Sequence, residues 1–194
     1  MSRANPFSDT QLLEFSEEHL LYEFQIFRWV ADSIAKKPTG FESSALLESF
    51  IIHLRNLSDF FYSDSDRNDD VLAADFFDKP EEWKSGAMPQ TLKDARERAN
   101  KEVSHITYKR KGAGDIAKSW NVTGLSNDIE TTAKQFAAAA SKKKLHSKVV
   151  EWIESKGDVR AMLIVNASTA TTNVASTVVT VGWQVPQGRG SKSG

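Results

Sequence analysis

Apolar periodicity at helical spacing, repeated in four long segments, restricts the fold of this chain more than any other feature. Between Ser8 and Lys37, Leu12, Phe15, Tyr22, Ile26 and Trp29 recur at three-, four- and seven-residue steps. A second row, Leu20, Phe24, Phe27, Ala31 and Ile34, widens the apolar arc. A helix apolar over so much of its circumference belongs near the centre of a bundle. Ser8 and Gln11 have capping-box spacing at its start, and Lys36-Lys37-Pro38-Thr39-Gly40 ends it with cations, Pro and Gly. Thr39 with Glu42 repeats the capping pattern and opens a second helix to about Tyr62, with Leu46, Leu47, Phe50, Leu54, Leu57 and Phe61 inward. Thr91 with Asp94 opens a third to about Tyr108, burying Leu92, Ala95, Ala99, Val103 and Ile106. Val71 to Phe77 and Pro80 to Lys84 read as short helical pieces in the connection. Ser126 begins a further helix that runs towards Ser155 with a kink around Ser141 to Lys144. The expectation is an all-α bundle of four to five helices over residues 8–157.

Residues 158–194 follow a different rule. Asn166 to Thr180 holds seven Ser or Thr among fifteen residues, and the sequence from Gly188 is rich in Gly and Ser. Only Met162–Val165 and Val178–Val185 have strand-like composition, so a low-complexity tail, disordered or forming a weak strand, is expected. The net charge of -1 hides this division: from Val159 onward there are three basic residues and no acid, while residues 1–158 carry 22 basic against 26 acidic. That balance argues against a surface built throughout to attract nucleic acid, and leaves room for a local patch. With no cysteine, disulfide and thiol chemistry are excluded, which suits a reducing cytosol. No apolar stretch approaches the roughly 20 residues of a spanning helix, so neither a membrane partner nor a signal peptide is expected. Any chemistry must rest on Arg, His and carboxylates.

The third helix carries the most informative set, Arg98-Ala99-Asn100-Lys101-Glu102-Val103-Ser104-His105. Arg98 and His105 are seven residues apart, so they return to nearly one face after two turns, about 100–120° from the centre of the apolar row. An Arg grips a phosphate bidentately and a His exchanges protons near neutrality, a pairing suited to phosphodiester chemistry without a metal. The alternative is a solvated flank carrying an Arg98–Glu102 pair. His53 lies on the second helix's core row and His19 on the first helix's, so both are expected to point inward. There they either join a polar cluster of His19, Glu23, Glu48, His53 and Arg55 or are satisfied singly at the edge of the core. A di-iron carboxylate site needs two Glu-X-X-His elements, and Glu102 to His105 is the sole one, so no metal or other cofactor is expected. In the loop Asp64 to Asp69, Asp69 stands where calcium loops need Gly. Lys109, Arg110 and Lys111, and Lys142 to Lys144, are candidate RNA-facing cations or solvated helix ends.

Arg98 followed by His105 late in an all-α bundle is similar to the Arg-X(4–6)-His signature of HEPN-domain proteins. The runs Glu18–Glu23, Glu48–Leu57, Asp75–Phe77 and Arg98–Thr107 also resemble a widespread group of bacterial proteins of unassigned function, a likeness covering about residues 10–155. The HEPN resemblance implies a metal-independent endoribonuclease of toxin–antitoxin or phage-defence systems, or a relative that only binds RNA or a regulatory protein such as an antitoxin. It also implies a homodimer whose site combines motifs from two subunits. Arg98 would stabilise the scissile phosphate, His105 would act as general acid or base, and the ribose 2′-hydroxyl would attack. Asn100, Lys101 and Arg110 would hold the RNA backbone. Ala99 departs from the signature, which often has a polar residue directly after the Arg.

Overall fold

A computed structural model describes residues 7–63, 70–102 with side chains to residue 99, and 119–155. Val103, His105, Ile106, Lys109, Arg110, Lys111, the third helix beyond Glu102, the Asp64–Asp69 loop and the tail 158–194 lie outside the described residues.

The first periodic segment forms one unbroken helical rod built of α1 (Asp9–Phe15), a π-helical turn (Ser16–Leu20) and α2 (Leu21–Ala35). The Ser8–Gln11 capping box forms as the spacing predicts, with Ser8 Oγ accepting from Gln11 N–H at 3.3 Å and Gln11 Oε1 accepting from Ser8 N–H at 2.9 Å. In the π turn, Leu21 N–H bonds to Ser16 O, five residues back. Such spacing inserts about one residue's worth of rotation, about 100°. Leu12 and Leu20 would stand about 80° apart on an ideal helix and instead come to within about 20°, whereas Tyr22 moves to about 180° from Leu12.

The buried face follows from this. Leu12, Ser16, Leu20, Phe24, Phe27, Val30 and Ile34 are buried, while Tyr22 and Trp29 are 53% and 48% exposed. The first of the two apolar rows is therefore split by the π turn. Leu12 continues onto the second row, and Tyr22 and Trp29 face outward. The turn is held from outside, because Ser16 Oγ donates to Leu13 O at 2.8 Å and accepts from His146 N–H at 2.9 Å across the bundle.

Helix α3 (Gly40–Tyr62) runs back against α2, with Phe50 stacked on Phe27 at 5.0 Å between ring centres. Leu47, Phe50, Leu54, Leu57 and Phe61 are buried as the periodicity predicts, while Leu46 is only partly so. Thr39 makes no side-chain cap, in contrast to the capping box expected with Glu42. Short 3-10 turns at Ala73–Phe76 and Pro80–Glu82 bring the chain to α4 (Gln90–Glu102). Leu92, Ala95 and Ala99 face the core. Thr91 lies inside α4, and its hydroxyl donates to the Asp128 carboxylate on α5 (Val122–Ala139) rather than capping its own helix. Helix α5 starts four residues before the expected Ser126, because Asn121 Oδ1 accepts from Gly124 N–H at 2.9 Å.

The expected kinked helix to Ser155 is two helices. Ser141 N–H leaves the α5 ladder to bond Phe76 O at 2.9 Å, and α6 (Ser147–Glu154) restarts behind His146, whose Nδ1 accepts from Lys148 N–H. Among the described residues these elements make an all-α bundle with one continuous core, and no helix is long and apolar enough to cross a membrane.

Phe136 of α5 organises that core. Fully buried, it meets Phe60 and Phe61 of α3, Phe76 and Phe77 at the 3-10 turn, and Trp83, at ring separations of 5.3, 5.8, 5.6, 6.2 and 5.7 Å. Most of these contacts are edge-to-face, the favoured arrangement of ring quadrupoles. Truncating Phe136 to Ala is expected to cost about 3–5 kcal/mol through lost burial and the cavity it leaves. Ser16→Ala, which strips His146 N–H of its acceptor, should cost about 1–3 kcal/mol. Urea unfolding at neutral pH measures both, and a neutral Ser16→Ala would show that the π turn needs no tie to α6.

Candidate functional site

Arg98 sits on the flank of α4, one residue before the buried Ala99. Its guanidinium carbon lies 4.2 Å from the ring centre of Trp120, which is 3% exposed, and Nη1 donates to Ser119 O at 3.0 Å. The planar cation thus lies over an aromatic face while bonding a carbonyl beside it, tying α4 to the segment that leads into α5. Two residues earlier, Arg96 Nη2 meets Asp59 Oδ1 of α3 at 2.8 Å, and Arg55 Nε approaches the other oxygen of that carboxylate at 3.7 Å. The backbones of Asn100 and Lys101 continue α4, and their side chains, with His105 and Arg110, are not among the described groups.

Of the expected polar cluster, the structure brings together Glu23 and His53. Glu23 Oε2 is 2.8 Å from His53 Nδ1. An ionised carboxylate only accepts, so Nδ1 is the donor of this bond. Asn56 completes the group by donating to both Glu23 oxygens at 3.3 and 3.4 Å, and the Tyr22 ring stands edge-on to His53 at 6.0 Å. Asn56 was not singled out, although it lies three residues beyond His53 on the same side of α3. The other members stay apart. The His19 side chain is 66% exposed, 4.0 Å from Glu18 and against Phe15, because the π turn rotates it away from the core. Glu48 is exposed on α3, and Arg55 is turned to Asp59.

Two further polar groups join α6 to the rod, neither anticipated from spacing because their partners are more than 90 residues away. Arg28 is 8% exposed, donates from Nε to Glu130 Oε1 at 3.3 Å and from Nη1 to Trp152 O at 3.1 Å, and lies 5.1 Å from the Trp152 ring centre. Beside it, burial pushes the Asp32 carboxyl above its ordinary value. Glu130 adds to the rise, and Arg28 and Lys36 oppose it. At the π turn, Glu17 pairs with Lys148 and lies 3.4 Å from His146 Nε2. The hydrogen bond from Lys148 holds the Glu17 carboxyl below its ordinary value, and the same bond raises Lys148. Among the described residues no group of three or more His, Asp or Glu is placed to hold a metal ion.

The two carboxylates pull stability in opposite directions with pH. For Asp32 the folded value lies above 3.8, so ionisation costs more in the folded protein and stability falls as pH rises from 3.8 through the folded value. Asp32→Asn is expected to raise Tm at neutral pH, with the gain vanishing below about pH 3.8. For Glu17 the folded value lies below 4.5, so its contribution is full above pH 4.5 and is lost as pH falls through the folded value. Glu17→Gln should lower Tm at neutral pH and leave it unchanged in strong acid. Thermal melts across pH read both, and a loss of Tm in Asp32→Asn at neutral pH contradicts the assignment. No family model, no curated protein and no solved structure matches this chain.

Proposed function

We propose that this helical bundle is a non-catalytic regulatory partner that acts by binding, in the toxin–antitoxin or phage-defence setting that the HEPN resemblance implies. The observation that supports it most is the position of Arg98. The residue that the resemblance assigns to a scissile phosphate lies over the Trp120 ring and donates to Ser119 O. A guanidinium used in this way braces α4 against the entry to α5, and its charge is engaged before any substrate arrives.

The ribonuclease reading draws on the same contact from the other side. An aromatic platform holds an Arg in one orientation, which reduces the entropy cost of gripping phosphate. In that reading Arg98 stabilises the phosphate, His105 transfers the proton, and two subunits contribute to one site.

RNA cleavage in EDTA, with thermal melts of the same samples, separates the two. The binding reading expects no cleavage by the wild type. It also expects Arg98→Ala to lose about 1–3 kcal/mol of stability from the stacking and the charged hydrogen bond. Cleavage by the wild type that His105→Ala abolishes at unchanged Tm would overturn it in favour of the ribonuclease.

A further inference from the structure

Helix α6 is capped by a side chain whose charge changes near neutrality. Caps are ordinarily Ser, Thr, Asp or Asn, whose oxygens go on accepting across that range. At the start of α6 the Nδ1 of His146 takes their place, accepting from Lys148 N–H at 3.2 Å. An amide N–H only donates, so Nδ1 presents its lone pair, and the ring in this geometry is neutral with its proton on Nε2. Nε2 stands 3.4 Å from Glu17 of the π turn. The backbone N–H of His146 donates to Ser16 Oγ at 2.9 Å, so the cap of α6 and the tie that pins the π turn meet at one residue.

A proton added to Nδ1 removes the acceptor and sets a donor against Lys148 N–H. It also puts a positive charge at the helix end where the dipole disfavours cations. Protonation of Nδ1 and capping therefore exclude each other, and by linkage a falling pH favours the uncapped start of α6. The charged groups facing the ring are Glu17 from the π turn and Lys148 from α6, which pair with each other. Glu17 favours the added charge and Lys148 opposes it, so the lost acceptor decides the sign. Lys144, in the turn before the cap, is directed to Asp9 and to the Asp75 and Phe77 carbonyls, and Glu151 acts on Lys148. At eight residues α6 is too short to persist alone, so its first turn relies on this cap and on the burial of Val149 and Ile153.

We propose that His146 is an acid-sensitive latch, whose protonation frees the first turn of α6 and, through Ser16, loosens the π turn that sets which face of α2 enters the core. The latch lies on α6 and the π turn rather than on α4, so it stands whether or not Arg98 meets RNA. Amide hydrogen exchange of the full chain tests it, read as protection factors from about pH 8 to about pH 5, the range over which histidine changes charge. On acidification the Lys148, Val149 and Leu21 amides should each lose protection about tenfold, the scale of a lost cap with an added charge at the helix end. Ile129, in the core of α5, should hold its protection. His146→Asn keeps an acceptor at the cap and cannot titrate, so its three amides should not respond to pH. Ser16→Ala should retain the response at Lys148 and Val149 and lose it at Leu21. Constant protection in the wild type, a loss shared equally by Ile129, the same loss in His146→Asn, or a response at Leu21 that survives Ser16→Ala would overturn the proposal.

Discussion

Phe136 is the point on which the bundle turns. Its ring is touched by aromatic residues from α3, from the short turns at Phe76 and Phe77, and from Trp83, so one side chain of α5 holds three separate stretches of chain in register. The connection between α3 and α4 has, as its regular structure among the described residues, two short 3-10 turns, Ala73–Phe76 and Pro80–Glu82. It is ordered by presenting Phe76, Phe77 and Trp83 to that ring, by Trp83 Nε1 donating to Phe61 O at 3.0 Å, and by Lys144 Nζ reaching the Asp75 and Phe77 carbonyls. Aromatic packing supplies the cohesion there, and the polar contacts orient the backbone around it.

Away from that cluster the helices are braced by long charged side chains spanning between elements. Arg28 reaches from α2 to Glu130 on α5 and to the last turn of α6, where a cation also complements the helix dipole. Arg96 and Arg98 tie α4 to α3 and to the segment before α5. Guanidinium groups suit this work because each donates in several directions while its flat face lies on a ring, as with Trp152 and Trp120. A residue type that signals phosphate chemistry in a sequence is equally the residue type for a buried brace, and only the partners distinguish the two.

The legible part of the fold was the part governed by local periodicity. The row of α3, apart from the half-buried Leu46, and the described part of the α4 row, Leu92, Ala95 and Ala99, appear where their spacing puts them, and the Ser8–Gln11 cap depends on neighbours three residues apart. Boundaries set by contacts distant in sequence were not legible. The break after Ala139 arises because Ser141 N–H goes to Phe76 O, and the restart at Ser147 relies on His146. Of the polar groups, Glu23 with His53 could be suspected because both lie on the facing sides of two adjacent helices, whereas Arg28 and Ser16 became visible only through partners more than 100 residues away.

By itself the sequence determined that the described residues are helical and which residues on α3 and in the described part of α4 are apolar enough to face inward, because a 3.6-residue period is a local property. Which side of α2 enters the core was decided by the tertiary structure. The two apolar rows of the first segment are equally periodic, and an extra residue in the π turn at Ser16–Leu20 selects between them. That turn is pinned by the Ser16–His146 bond from across the bundle. A rotation of about 100° sends Tyr22 and Trp29 to solvent.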